Sequence, residues 1–392
     1  MRRLSIYLHI PFCVRKCRYC DFLSYPAGEE EQETYLSLLL TEIEQQSFFY
    51  KEHQVISVFI GGGTPSILKL NAIETLLEKL KQNFTFTETP EITIEVNPGT
   101  VTKEKLASYL RAGINRLSIG LQSASDEELT MLGRIHDYAA FCHTYEMARE
   151  VGFQNINVDL MSAIPGQTLA SYQETLQKVL ALAPEHISAY SLILEEGTWF
   201  YEHKEQLPFL SEEEDRMLYE LTGSQLAAHG YHRYEISNYA KDGYECIHNK
   251  VYWQRGDYVG FGMGAASMVE DIRWNNKRDF KEYALAVQTF SIRKDMIEGM
   301  QASRSRLGEN IQYLTVGEQM EEFMFLGLRL TAGIEKAAFY WKFGVSIESV
   351  YGEVLAQLEK DGLLMIDDYV RLTPLGMDIS NYVMGQFLIF SC

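Results

Sequence analysis

The sequence predicts an α/β chain. Parallel strands with crossover helices fill its first half, a mixed α+β stretch follows, and a small winged-helix-like module closes it. Three observations predict this. Short runs rich in Ile, Val, Leu, Tyr and Phe alternate with amphipathic segments through the first half, and such alternation implies parallel strands joined by right-handed crossovers. The alternation stops near Ser211, and a Tyr-, Trp- and Gly-rich stretch occupies 231–274. Residues 315–392 then read as helices followed by a short hairpin at 363–372. The expected units are residues 1–210, 211–305 and 306–392.

The expected strands cover 5–10, 55–61, 91–96, 116–122, 155–161 and 186–194, bounded by Gly, Pro or Asn. The expected helices cover 30–46, 67–83, 102–112, 138–152 and 168–182. Two of them close on Ala112-Gly113 and Val151-Gly152, where glycine supplies the left-handed residue that ends a helix. Glu212, Glu213, Glu214 and Asp215 open a further helix reaching about His229, and acids there suit the positive end of its dipole. Residues 318–330 have helical apolar spacing, which Val354, Leu355 and Leu358 continue. No low-complexity tract or fixed-period repeat is visible.

Of 392 residues, 46% are hydrophobic and 23% charged, so disorder over most of the chain is excluded. The net charge of −19 does not attract phosphate backbones, so no nucleic-acid partner is expected and any anionic ligand needs local cations. No run approaches the ~18 apolar residues of a membrane span, and the N-terminus enters a strand-like segment without a signal-peptide pattern. No integral membrane segment is expected. Of six cysteines, three crowd together as Cys13, Cys17 and Cys20, while Cys142, Cys246 and Cys392 are scattered. That is not a disulfide framework, and a reducing cytoplasm fits it.

Ligands of parallel sheets gather at the C-terminal ends of the strands. The unusual residues sit there: 13–20 after the first strand, Gly61-Gly62-Gly63-Thr64-Pro65 after the second and Asn97-Pro98 after the third. Gln122-Ser123 follows the fourth and Ile164-Pro165-Gly166-Gln167 the fifth. Cys13-Val14-Arg15-Lys16-Cys17-Arg18-Tyr19-Cys20 places three thiols within eight residues, enough to close round one inorganic centre. Structural zinc wants a fourth protein ligand, for which His9 and Asp21 are poorly placed. An iron–sulfur cluster takes Cys thiolates, and three of them leave one iron of a 4Fe-4S cubane open.

This CxxxCxxC, with an aromatic before its last cysteine, resembles the signature of radical S-adenosylmethionine (SAM) proteins. Tyr7-Leu8-His9-Ile10-Pro11-Phe12-Cys13, the 61–65 glycine turn, Glu95-Val96-Asn97-Pro98, Gly120-Leu121-Gln122-Ser123 and 159–167 are similar to the branch holding oxygen-independent coproporphyrinogen III oxidase and the HemW heme chaperones. Residues 322–330 and 372–376 resemble that branch's C-terminal domain. The resemblance covers nearly the whole chain. It implies a partial (β/α)6 TIM-like barrel, a 4Fe-4S cluster on Cys13, Cys17 and Cys20, and SAM chelated to the open iron. In such proteins one electron, supplied by a donor such as flavodoxin or ferredoxin, cleaves SAM to a 5′-deoxyadenosyl radical.

The same resemblance assigns SAM contacts. Tyr7 matches the tyrosine beside the cluster. Gly62, Gly63 and Thr64 match the turn that receives the SAM amino group, where glycine lets the backbone approach a ligand. Glu95 is expected to accept from ribose hydroxyls. Gln122, Arg134 and Asp159 match residues that hold a nucleoside or a second SAM, and an unpaired Asp159 would be costly, so it is expected to have a ligand or an arginine as partner.

Two departures count against the oxidase. Its pattern has a fourth cysteine two residues after the third, where this chain has Phe22, and it carries a longer N-terminal extension. His248-Asn249-Lys250-Val251-Tyr252-Trp253 resembles the HNxxYW motif of the heme chaperones. His248 is therefore the expected heme ligand, with Cys246 either a thiolate candidate or a small buried hydrophobe, and Lys250, Arg255 and Arg273 candidates for the propionates. Gly262-Met263-Gly264-Ala265-Ala266-Ser267 lacks the histidine many chaperone-type sequences carry there, so no second axial ligand is assigned. The expectation is a heme chaperone passing heme to an acceptor protein. The alternatives are a tetrapyrrole-directed radical SAM enzyme and a non-catalytic zinc-binding module. Whether SAM is turned over stays open.

Overall fold

The computed structural model describes residues 1–290 and 306–389. The expected 305/306 boundary falls at the edge of an undescribed stretch, and Cys392 lies outside the described residues. Six parallel strands run in order: β1 (Arg2–Ile10), β2 (His53–Gly62), β3 (Thr85–Val96), β4 (Arg116–Gln122), β5 (Ile156–Ser162) and β6 (His186–Ser191). The crossovers carry α1 (Glu29–Gln46), α2 (Ala72–Asn83), α3 (Lys103–Ala112), α4 (Asp126–Leu132), α5 (Tyr138–Val151) and α6 (Leu169–Leu182). Capping explains their ends. Thr102, Ser125, Asp137 and Thr168 each accept a backbone N–H of the first turn, and α3, α4 and α5 close on left-handed Gly113, Gly133 and Gly152.

Several boundaries differ from expectation, among them β1 and β3, which start at Arg2 and Thr85 rather than 5 and 91. The helix expected from residue 67 starts at Ala72, because Pro65–Ile67 forms one 3-10 turn and left-handed Asn71 resets the chain. The sixth strand stops at Ser191 rather than 194, where its partner β5 runs out at Ser162. The short helix α4 was not anticipated.

Alternate residues of a strand face opposite sides. One side is apolar and fully buried: Leu4, Ile6, Leu8 and Ile10 in β1, Leu117, Ile119 and Leu121 in β4, Ile156, Val158 and Leu160 in β5. The other side is polar on every strand. It carries Ser5, Tyr7 and His9, then Ser57, then Glu91, Thr93 and Glu95, then Arg116 and Ser118, then Asn157 and Asp159, then His186 and Ser188. These side chains bond across strands: Ser5 to Ser57 (2.6 Å), Asn157 Nδ2 to Ser118 (2.7 Å), and His186 Nδ1 to Asn157 Oδ1 (2.6 Å).

Residues 211–290 do not stand apart from this sheet. After α7 (Trp199–Glu202) and α8 (Glu212–Ala228), strands β7 (His232–Arg233) and β8 (Asn238–Ala240) extend it beyond β6. Helix α9 (Ile247–Trp253) then covers the polar face against β2 and β3. Strand β9 (Tyr258–Phe261) joins β1 in parallel, and β10 (Ala266–Val269), β11 (Ile272–Asn276) and β12 (Gly308–Tyr313) continue outward, with α10 (Phe280–Thr289) packed on α1. The result is one sheet of twelve strands among the described residues.

The C-terminal part has its own core, with Met324, Phe339, Ile347 and Val370 fully buried. Helices Val316–Gly327, Lys336–Phe343 and Ile347–Lys360 precede the expected hairpin, β14 (Leu364–Ile366) and β15 (Tyr369–Leu372), and β13 (Ile334–Glu335) pairs with β15. Three short strands behind helices match the winged-helix-like expectation. No described helix is long and apolar enough to cross a membrane.

Candidate functional site

The cysteine loop leaves β1 directly and is fastened at both ends. Tyr25 N donates to Pro11 O (2.9 Å), Cys13 N to Tyr25 O (3.1 Å), and Arg18 N to Leu132 O at the end of α4 (3.0 Å). Phe12 anchors it underneath, edge-on to Tyr25 and Tyr35. His9 Nε2 lies 2.9 Å from Leu23 O, so this nitrogen carries the proton, and Nδ1 accepts from the Tyr7 hydroxyl at 3.1 Å.

Each thiol is half-exposed and has its own polar neighbour. Thr64 Oγ1 is 3.5 Å from Cys13 Sγ, Arg134 Nη1 3.7 Å from Cys17 Sγ, and Ser24 Oγ 4.0 Å from Cys20 Sγ. Burial pushes the Cys20 thiol up. Among the described residues no three His, Cys, Asp or Glu side chains converge where one ion would sit. The glycine turn supplies a second test of fit. A Cβ on Gly63 would lie 2.6 Å from Phe12 O and 3.0 Å from Cys13 Sγ, and one on Gly62 (φ 116°) would lie 2.6 Å from the His9 ring. The turn is a bare-backbone cradle against the first cysteine, which fits a ligand that needs main-chain contacts.

The strand ends are joined into one network. Thr64 bridges Cys13 and Asn97, whose Nδ2 donates to Thr64 Oγ1 at 2.9 Å. Arg134 Nη2 donates to Asn97 Oδ1 and to Gly120 O, both at 2.8 Å, while Nη1 reaches Cys17 and Tyr19. Arg134 thus ties the first, third and fourth strand ends together. Gln122 sits beside it, buried, at the bulge that ends β4 and with a left-handed φ of 71°.

Deeper on the polar face, Glu95 Oε2 accepts from Gly62 N at 3.0 Å. Burial, with repulsion from Asp159 added, pushes its carboxyl up to about 8 against the pull of Gly62. Asp159 is also raised by burial. It accepts from Asn157 Nδ2 (2.7 Å) and Ser118 Oγ (3.3 Å). Neutral donors hold it, and the buried Arg116 charge favours its ionised form without a direct ion pair among the described residues.

The HNxxYW segment, where the resemblance places a heme ligand, is enclosed rather than open. His248 is 1% exposed, and both ring nitrogens are occupied: Nδ1 by Ser57 Oγ and Nε2 by Tyr252 OH, each at 2.9 Å. Burial pulls its pKa down to about 3. Glu91 of β3 holds the start of α9, accepting from Ile247 N (2.9 Å) and His248 N (3.0 Å). Trp253 at the other end lies under Arg329 of the C-terminal part, 4.2 Å from guanidinium to ring. Cys246 is fully buried beside Glu91, its thiol pushed up to about 12 by burial, so it offers no thiolate. The propionate candidates are spent as well. Lys250 pairs with Glu245, Arg255 with Asp271 and Glu322, and Arg273 with Glu322. The motif fastens α9 between the sheet and the C-terminal part.

Sequence reasoning marked Asn97 only as part of a strand end, and passed over Glu91, Arg116 and Ser57 as site-building residues. Polar residues at every second position of otherwise apolar strands were the available signal. The 262–267 turn, by contrast, supports the cysteine loop: Gly262 N donates to buried Glu42 (2.8 Å), and Tyr35 OH bonds both Met263 N and His9 O.

Comparison with known proteins agrees with this geometry. Residues 7–179 match the Radical SAM superfamily model and 314–379 the HemN C-terminal domain model. The heme chaperone HemW of Bacillus subtilis (strain 168) is 37% identical over 388 residues, covering 98% of this chain and 99% of that protein. HemW of Escherichia coli (strain K12) is 41% identical over 269 residues, 68% of this chain and 70% of that one. The solved structure of E. coli coproporphyrinogen III oxidase (HemN) superposes with a TM-score of 0.83 at 24% identity, covering 99% of this chain and 91% of its own, which establishes the shared fold. Fold and site define a radical SAM protein. Within that class, the chain belongs to the HemW heme chaperone family.

Proposed function

We propose that this chain binds heme and passes it to an acceptor protein in a reducing cytoplasm, using a 4Fe-4S cluster on Cys13, Cys17 and Cys20 with SAM beside it. The observation that carries the reading is the three-thiol loop set against the Gly62-Gly63 cradle. We take residues 1–210 as the SAM-binding core, 211–305 as its α+β extension and 306–392 as the C-terminal module.

Cys13, Cys17 and Cys20 would hold the cluster, which would supply one-electron reduction of SAM. The chain's own residues supply position. Gly62 and Gly63 offer backbone groups to the SAM amino group, and Thr64 holds Cys13 in place. The carboxyl of Glu95, protonated near pH 7, can donate to one ribose hydroxyl while its other oxygen keeps Gly62 N. Tyr7, steered by His9, stands beside it. Gln122, Arg134 and Asp159 line the next strand ends, where a nucleoside would extend. Phe22 at the oxidase's fourth-cysteine position favours a chaperone over tetrapyrrole decarboxylation.

Anaerobic reconstitution followed by iron and sulfide analysis, SAM binding and heme titration tests this. Four irons per chain, SAM binding lost in Gly63→Ala, and heme handed to an apo-acceptor are expected. Zinc near one per chain without sulfide, or no heme uptake, would overturn it.

A further inference from the structure

Two of the three clustered thiols sit at the ends of one turn. Cys20 N donates to Cys17 O at 3.3 Å, which leaves Arg18 and Tyr19 as the turn's central residues. Arg134 Nη1 holds the Tyr19 hydroxyl at 3.4 Å. Arg18 is gripped along its length. Its N–H donates to Leu132 O (3.0 Å), its carbonyl accepts from Phe200 N (3.2 Å), and Nη1 donates to Met131 O (3.2 Å). Its stem runs past the bare backbone of Gly133, where a Cβ would lie 3.1 Å from Arg18 Cγ. Its guanidinium then lies over the Trp199 ring, 4.4 Å from the centroid. The Trp199 ring is itself stacked on His203, 4.1 Å between centroids and 17° between planes, and His203 Nδ1 donates to Trp199 O at 2.8 Å. Trp199 is 37% exposed, whereas Phe200 beside it is fully buried against Leu132, Met161 and Ile164. Phe200 therefore anchors α7, and the Trp199 ring is left to meet Arg18 and His203.

We propose that Trp199 is a positioning residue for the iron–sulfur site: by clamping Arg18 it fixes the turn that sets Cys17 and Cys20 relative to each other. The inference rests on reading Cys13, Cys17 and Cys20 as cluster ligands and adds a residue to that same site. A turn in a surface loop opens locally at little cost unless its residues are tied to packed elements. Here the tie comes from two directions, from α4 after β4 and from α7 after β6. The backbone bonds to Leu132 and Phe200 fix where Arg18 sits, and the Trp199 ring fixes how its side chain lies. A planar guanidinium suits an aromatic face, and the contact strengthens as water is excluded from it. When the turn opens, Cys17 or Cys20 swings away and iron can be taken by a competing chelator. The strength of the clamp therefore sets how fast iron leaves.

Trp199→Ala, Trp199→Phe and, as control, Trp341→Ala of the C-terminal module (84% exposed) are compared as full chains after anaerobic reconstitution. The readouts are iron release to bathophenanthroline and the EPR spectrum of the dithionite-reduced protein. Trp199→Ala should release iron ~3- to 30-fold faster than wild type, the factor that loss of one cation–π contact spans, with a broadened EPR signal. Trp199→Phe keeps a ring face and should stay within about twofold of wild type. Trp341→Ala should match wild type. Urea midpoints should be unchanged in all three, because Phe200 still anchors α7. Arg18→Ala/Trp199→Ala should release iron no faster than Arg18→Ala alone, since both changes remove the same contact. Equal iron release in Trp199→Ala and wild type would overturn the proposal. So would release from Trp199→Phe as fast as from Trp199→Ala, or faster release with a matching fall in urea midpoint, which would mark a general loosening of the fold. A wild type that takes up no iron and sulfide would overturn the reading of the cysteines, and this proposal with it.

Discussion

Replacing His248 by alanine separates a buried fastening from a heme ligand. In the structure the imidazole is enclosed, 2.9 Å from both Ser57 Oγ and Tyr252 OH, with its ring 5.3 Å from that of Phe59. Removal leaves the Tyr252 hydroxyl without that partner, at ~1–3 kcal/mol, while Ser57 keeps Ser5. The cavity left by a ring of this size adds ~2 kcal/mol, so His248→Ala should lose ~3–5 kcal/mol at pH 7.5. Acid should narrow that gap. The folded pKa of about 3 lies below the ordinary value of 6.5, so the folded state resists protonation and the wild type alone loses this contribution as pH falls through 6.5. At ~1.4 kcal/mol per pH unit, the difference should shrink by ~2 kcal/mol between pH 6.5 and 5. Urea unfolding of both proteins at the two pH values measures it. Heme titration of the folded variant should still give the wild-type spectrum. A variant as stable as wild type that has lost its heme spectrum would refute this reasoning and restore His248 as ligand.

Other outcomes follow from the same geometry. Glu95→Gln keeps an acceptor for Gly62 N but removes a carboxyl raised to about 8. The wild type without ligands loses stability as pH rises from the ordinary carboxylate range through 8, so the variant should gain on it by a few kcal/mol, about 1.4 per unit, and urea midpoints at pH 5 and 9 check this. Gly63→Ala places a carbon 2.6 Å from Phe12 O, so iron and sulfide content after reconstitution should fall severalfold while far-UV circular dichroism stays native. Arg134→Met removes the bonds to Asn97 and Gly120 O, leaving buried acceptors open at ~1–3 kcal/mol each, and SAM affinity measured by calorimetry should drop at least tenfold.

Much of the parallel core was legible because its signals are local. Ala112-Gly113 and Val151-Gly152 end helices as glycine must, and the strand ends at Gln122 and Gly62 lie where polar residues interrupt apolar runs. The cysteine spacing is equally local and identified the loop outright. What the chain order conceals is long-range pairing. That β9 lies beside β1, and β8 beside β6, depends on backbone edges satisfied by segments far apart in sequence. His248 shows the same limit. A histidine next to Tyr and Trp reads as a ligand until its partners Ser57 and Glu91, more than 150 residues upstream, are brought to it. Arg134 was expected at the site, but its partners Asn97 and Gly120, on two other strand ends, were not legible from the chain order.

Mössbauer spectroscopy of the anaerobically reconstituted protein, with and without SAM, tests the central claim most directly. The three-thiol loop and glycine cradle predict a cubane in which SAM shifts the signal of one iron in four and leaves the others as they were. A spectrum with no cubane, or one in which SAM changes none of the irons, would contradict it.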